Sequence, residues 1–174
     1  MLDQNNTSYV ATAATLKDST QIAALLLHYS KMGNLLPRTK EDVEKHINNF
    51  YIIRDVNSDS NINPNKINTD EEKSIIACGA LEHFSDELAE IRSLVVNPEQ
   101  HGKGLGRILV ERLIELAKER KVSRLMALTY SVGFFEKLNF HVVDKSIFPE
   151  KIWGVCINCY KFKNCDETAV LLNL

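Results

Sequence analysis

Residues Ala89 to Leu116 read AEIRSLVVNPEQHGKGLGRILVERLIEL, and the way this stretch folds decides the fold of the chain. Glu90 to Val96 is a short run rich in Val, Leu and Ile that stops at Asn97-Pro98, the pattern of a strand ending at a turn. Gly102, Gly104 and Gly106 follow, and from Leu105 apolar residues recur at Leu109, Leu113 and Leu116, with Ile108 and Ala117 beside them, a helical period. A glycine-rich turn therefore carries a strand into a helix. Backbone N–H groups at a helix start lack intrahelical partners, and glycines without Cβ atoms let a ligand's phosphates come close to them. A tight turn with no ligand is the alternative reading.

The spacing G-x-G-x-G is not the G-x-G-x-x-G of a dinucleotide-binding turn, and no Ser or Thr follows a Gly-Lys as a Walker loop requires. The stretch resembles instead the acetyl-CoA loop of the GNAT superfamily of N-acetyltransferases. The pattern Q/R-x-x-G-x-G/A falls on His101, Gly104 and Gly106, with His101 where Gln or Arg is usual and Gln100 next to it. Phe134 to Phe140, FFEKLNF, is similar to the family's F-Y-E-K-x-G-F segment, where a helix leads into a strand beside the coenzyme. The resemblance implies an α/β (α+β) acyl-CoA N-acyltransferase fold, a mixed and mostly antiparallel sheet flanked by helices, over one domain spanning residues 1–174. It implies acetyl-CoA as cosubstrate. Gln100, His101, Gly102, Lys103, Gly104, Leu105, Gly106 and Arg107 would hold the pyrophosphate, and the amides of Leu94, Val95 and Val96 the pantetheine arm and the oxyanion. Phe135 would lie beside the coenzyme, where many members carry a Tyr that protonates the leaving thiolate.

Composition fits that scale. The 174 residues suit one domain, and 44% hydrophobic with 25% charged residues are ordinary globular values. Twenty-one Lys and Arg against 23 Asp and Glu leave a net charge of -2, which gives no electrostatic reason to expect nucleic acid or an anionic membrane as partner. A small-molecule substrate is expected. The first ten residues, MLDQNNTSYV, lack the basic and apolar regions of a secretory signal, and no 18-residue apolar run is present. A cytoplasmic location with reduced cysteines is the expectation.

In chain order, Tyr9 to Thr15 reads as a first strand. Thr15 or Asp18 caps a helix carrying Ile22, Leu25, Leu26 and Tyr29 to about Lys31, closed by Gly33. Thr39 with Asp42 caps a second helix through Val43, His46 and Ile47, and Phe50 to Arg54 is strand-like. Residues 57–73 are Asn-rich and acidic with almost no apolar side chains, a loop inserted between strands. Ile75 to Phe84 is a strand that turns at Ser85-Asp86 into the central one. After the central helix come a buried strand at Arg124 to Thr129, a short helix at Tyr130 to Lys137 and a strand at Phe140 to Asp144. A last strand, Thr168 to Leu172, is expected to be exposed and could pair across a homodimer.

The resemblance narrows at Leu36-Pro37-Arg38, Glu90-Ile91-Arg92-Ser93, Ala127-Leu128-Thr129 and the tail around Lys151-Ile152-Trp153. These look like amino-acid N-acetyltransferases of the short, kinase-less N-acetylglutamate synthase type, which catalyse the first step of arginine biosynthesis. A protonated ammonium cannot attack a thioester, so a base is needed, and Glu90 is the candidate, with Glu82 and Glu87 as alternatives. Period two places Glu90 and Arg92 on one strand face unless a bulge intervenes; they could equally form an exposed ion pair. If the acceptor is L-glutamate, its carboxylates call for planar guanidinium forks, so Arg38 and Arg92 are the candidate substrate residues, with Lys151 third. With Phe135 unable to give a proton, Tyr130 is the nearest acid, together with Thr129. Attack is expected to be direct, with no acyl-enzyme.

Cys156-x-x-Cys159 and Cys165, in a cysteine-containing tail at about residues 148–166, have zinc-like spacing but supply three of the four ligands a structural site wants. No metal is assigned, and packed thiols are the main reading. The rivals are an acetyltransferase for another amino acid or small amine, and a catalytically silent CoA-binding module.

Overall fold

The computed structural model of the protein describes residues 9–32, 35–55, 73–159 and 162–174. Gly33 and nearly all of the Asn-rich insertion lie outside the described residues. The chain divides into two compact units, Met1–Gly79 with Ser93–Val110, and Ala80–Arg92 with Glu111–Leu174.

The first unit contains β1 (Thr12–Ala13), α1 (Ser19–Ser30), α2 (Lys40–Lys45), β2 (Phe50–Arg54), most of β3 (Ile75–His83), the end of β4 (Leu88–Val96) and the start of α3 (Leu105–Glu119). β1 is shorter than expected. It pairs antiparallel with β2 at only Thr12↔Ile52 and Ala13↔Tyr51, and Val10, inside the expected strand, is 62% exposed. Thr15 and Asp18 form a capping box over a 3₁₀ turn that runs into α1, with the Thr15 N–H donating to Asp18 Oδ2 at 2.8 Å. Asp18 is buried and receives Arg54 Nη2 at 2.6 Å. Burial pushes its carboxyl up, but the Thr15 amide and the Arg54 guanidinium outweigh that and hold it below the ordinary range. Thr39 caps α2 as expected, its Oγ1 accepting from the Asp42 N–H at 3.2 Å. Ile22, Leu26, Val43, Ile52 and Ile53 are fully buried, which is where the apolar spacing of α1 and the β-branched run of β2 lead.

The second unit contains the rest of β3, β4 and α3, then β5 (Arg124–Thr129), α4 (Val132–Glu136), β6 (His141–Val143), α5 (Pro149–Gly154) and β7 (Thr168–Asn173). β5 has the bounds expected from the sequence, and α3 buries Leu105, Leu109, Val110, Leu113, Leu116 and Ala117 on one stripe. The hydrogen-bonded strand order is β1-β2-β3-β4 through the first unit and β4-β5-β7-β6 through the second. β4 and β5 are parallel, while β7 is antiparallel to both β5 and β6, so the sheet is mixed. The expectation of an exposed last strand is corrected here. β7 is hydrogen-bonded on both sides and Ala169, Val170 and Leu171 are buried, because an unbroken apolar run covers both faces of an interior strand. It has no edge to offer a second copy. Leu88, Met126, Phe148, Ala169 and Leu171 form one core cluster of this unit. Among the described residues no helix is long and apolar enough to cross a membrane.

Candidate active site

The end of β4 and the glycine turn belong to the first unit. Ser93 takes φ 54, a left-handed conformation unusual for any residue but Gly, so the strict alternation along β4 breaks there. The Ser93 carbonyl accepts from the Cys78 thiol at 3.7 Å, and burial pushes that thiol up to about 12, so it stays a donor. At the strand end the Asn97 N–H donates to the Ile76 carbonyl at 2.8 Å, and the Asn97 side chain caps a 3₁₀ turn over Pro98–Gln100.

Gly102 and Gly104 follow with φ 82 and φ 76, both exposed, and a Cβ placed on either would meet nothing within 4 Å. They are glycines because of the backbone they adopt and the open approach they leave. Gly106 lies in the first turn of α3, where the N–H groups lack intrahelical acceptors and carry the positive end of the helix dipole. Lys103 donates to Gln100 Oε1, and His101 turns its ring back so that Nε2 meets the Val96 carbonyl at 3.0 Å. Val95 is buried, while Leu94 and Val96 are half-buried. Replacing Gly104 by Ala is expected to cost about 1 kcal/mol of stability through the left-handed backbone alone, and to weaken anion binding by the loop. Urea denaturation beside a coenzyme A titration would read both effects.

Arg38 also belongs to the first unit. Its Nη1 donates to Asp42 Oδ2 at 2.8 Å, its side chain is 9% exposed, and its guanidinium lies 6.0 Å from the Phe50 ring centroid. The Thr39 cap fixes the start of α2 and so the place of both partners.

In the second unit, Glu90 and Lys151 form a buried pair. Lys151 Nζ donates to Glu90 Oε2 at 2.7 Å, with side chains 7% and 4% exposed, and Arg92 Nε lies 4.0 Å from the same oxygen. Glu90 is therefore not in an exposed pair. Lys151 is delivered by α5, which follows the core residue Phe148 and begins with Pro149, and its ammonium also sits 5.3 Å from the Phe84 ring centroid. Cys156 is close enough for its thiol to feel both charges: burial pushes it up, Lys151 pulls it down and Glu90 raises it. Tyr130, 43% exposed, donates to Asp166 Oδ1 at 2.6 Å. Thr129 is buried and its hydroxyl accepts from the Ser131 N–H at 2.9 Å. Phe135 is buried edge-to-face between Phe134 and Phe140, at 5.1 Å from each. Cys156, Cys159 and Cys165 are free thiols, and among the described residues no group of three His, Cys, Asp or Glu side chains is placed to hold a metal ion.

Three contacts had no counterpart in the sequence reading: Tyr29 on the Val96 carbonyl, Cys78 on the Ser93 carbonyl, and Asp166 under Tyr130. Their partners lie 67, 15 and 36 residues away. Of these residues, Tyr130 and Val96 are the ones the sequence marks for a site role.

A mixed sheet whose central strand breaks at Ser93 and feeds a left-handed glycine turn into a long helix defines an acyl-CoA acyltransferase fold. Residues 31–140 match the model of the acetyltransferase (GNAT) family. The chain belongs to that family and is an N-acetyltransferase by descent. It is 34% identical to an uncharacterized N-acetyltransferase of Chlorobaculum tepidum over 92% of this chain and 94% of that one. It is 30% identical to the amino-acid acetyltransferase of Escherichia coli (strain K12) over 79% of this chain, spanning 28% of the length of that relative. Among solved structures, the N-acetylglutamate synthase of Neisseria gonorrhoeae complexed with coenzyme A and N-acetyl-glutamate superposes with a TM-score of 0.78 at 24% identity, over 98% of this chain and 36% of that chain. A Mycobacterium tuberculosis protein in complex with CoA superposes at 0.74 and 22% identity, over 95% and 99%.

Proposed function

We propose that the protein transfers the acetyl group of acetyl-CoA to the α-amine of an amino acid, with L-glutamate the preferred acceptor, as the first step of arginine biosynthesis in the cytoplasm. The observation that carries the cosubstrate is the turn itself: two left-handed glycines with open space above them lead into the start of α3, where a helix's first amides have no intrahelical acceptor. Anionic phosphates suit that turn, and the family's chemistry is acetyl transfer. The acceptor is supported by the likeness to amino-acid acetyltransferases. Arg38 and Arg92 are the residues proposed to take its carboxylates.

In this reading Gln100 to Arg107 hold the pyrophosphate, and the amides of Leu94 to Val96 take the pantetheine arm and the oxyanion of the tetrahedral intermediate. Glu90 takes a proton from the acceptor's ammonium, directly or through a water, and the neutral amine attacks the thioester carbonyl. The C–N bond forms, the C–S bond breaks with its electron pair leaving on sulfur, and the nitrogen gives up its second proton to solvent as the amide forms. Tyr130 and Thr129 are the candidate donors to that thiolate, with the Tyr130 proton held on Asp166 until it is needed. A thiolate of ordinary pKa near 8.5 also leaves unaided. Lys151 orients Glu90 rather than the substrate, since its ammonium is already on the Glu90 carboxylate. Phe135 is packing for the segment beside the coenzyme.

Acetyl-CoA turnover with each amino acid in turn, followed by thiol release, tests the reading, and glutamate is expected to give the highest kcat/KM. Higher turnover with a polyamine or another amine would replace the acceptor. Arg38→Ala is expected to raise the KM for glutamate about tenfold or more and leave that for acetyl-CoA unchanged. An equal rise in both would move Arg38 out of the acceptor's site.

A further inference from the structure

We propose that Tyr29 is a positioning residue for cosubstrate binding: its hydroxyl, by holding the Val96 carbonyl, fixes the peptide from which the glycine loop departs. The inference rests on the reading of that loop as a coenzyme A site. All of its parts lie in the first unit.

The peptide joining Val96 to Asn97 is where β4 ends. Its carbonyl accepts from the Tyr29 hydroxyl at the last turn of α1 and meets His101 Nε2 at 3.0 Å, while its N–H donates to the Ile76 carbonyl at 2.8 Å. A carbonyl oxygen has two lone pairs, so this peptide is satisfied at both ends. Because a carbonyl can only accept, neutral His101 must carry its proton on Nε2. Burial, and then the nearby Cys78, push the Tyr29 hydroxyl up, so it remains a donor throughout the physiological range.

Three residues upstream, the Ser93 carbonyl is held by Cys78. The segment from 93 to 96 thus has side chains from α1, β3 and the loop on its main chain. An ordinary interior strand is fixed by its ladder. Here the left-handed Ser93 distorts the strand, and side chains add their hold on the Ser93 and Val96 carbonyls. A loop whose first peptide is immobile presents its amides in one arrangement, and a phosphate then binds without ordering it.

Tyr29→Phe keeps the ring, including its edge contact with His28 at 5.5 Å, and removes one oxygen. It is expected to weaken acetyl-CoA binding by roughly fivefold to tenfold in calorimetric titration, the usual effect of losing one hydrogen bond. The KM for acetyl-CoA should rise by the same factor, with kcat and the KM for the acceptor unchanged. The double variant Tyr29→Phe/His101→Ala, which strips both donors from one carbonyl, should lose more affinity than the two single losses combined. Acetyl-CoA affinity of Tyr29→Phe within twofold of wild type would overturn the proposal, as would equal rises in both KM values, the signature of a purely structural role. Wild-type protein that fails to bind acetyl-CoA at all would instead sink the cosubstrate reading on which the proposal stands.

Discussion

Replacing Lys151 by Met is expected to cost about 3–5 kcal/mol of stability, a large share of what a native protein has. The change removes one partner of an ion pair whose side chains are 7% and 4% exposed, and leaves the buried Glu90 carboxylate without its ammonium. Arg92, 4.0 Å from the same oxygen, compensates only in part, since that contact is longer than a hydrogen bond. Adding Glu90→Gln to Lys151→Met removes the orphaned charge, so the double variant should recover part of the loss. Urea denaturation of the wild type, both singles and the double gives the coupling directly. A loss below about 1 kcal/mol in the single variant would mean that the pair is solvated and does not hold α5 in place.

The second large effect is on turnover. Glu90→Gln keeps the shape of the side chain and an oxygen that can accept from Lys151, but removes the group proposed to take the acceptor's proton. The expected fall in kcat is about 10²–10⁴-fold, with acetyl-CoA affinity unchanged. Since the variant must wait for acceptor already neutral in solution, its residual rate should climb about tenfold per pH unit until the acceptor's own ammonium titrates. Unchanged turnover would remove Glu90 from the mechanism and turn attention to Glu82 and Glu87, the carboxylates of β3 and the following turn.

Much of the fold was legible because it rests on local patterns. The period from Leu105 to Leu116 yields α3, the six residues of β5 are the apolar run RLMALT, and Thr39 caps α2 where its spacing to Asp42 put it. β7 was legible as a strand but was misplaced. Its unbroken AVLL signals burial on both faces, and that signal, weighed above its place in the chain, would have put it inside the sheet. β1 was overextended because β-branched residues at Val10 and Thr15 suit a strand wherever they stand, whereas pairing depends on how far a distant partner reaches.

The candidate site divides in the same way. Gly102 and Gly104 announce themselves, since no other residue takes their backbone at so little cost. Glu90 and Lys151, 61 residues apart, do not. Nothing local to Lys151 says that its ammonium is buried on a carboxylate, and a lysine in a tail reads as solvated or as a ligand for substrate. The left-handed Ser93 is hidden for a related reason. Serine carries no preference for that conformation, so the break in β4 is imposed by packing, including the Cys78 thiol on the Ser93 carbonyl.

Calorimetric titration of the purified chain with acetyl-CoA is the most direct test, because every proposed step begins with main-chain amides of residues 94–107 gripping a nucleotide-bearing thioester. Saturable binding of one acetyl-CoA per chain, weakened in Gly104→Ala, is the predicted result. Absence of any affinity for acetyl-CoA or for coenzyme A would contradict it.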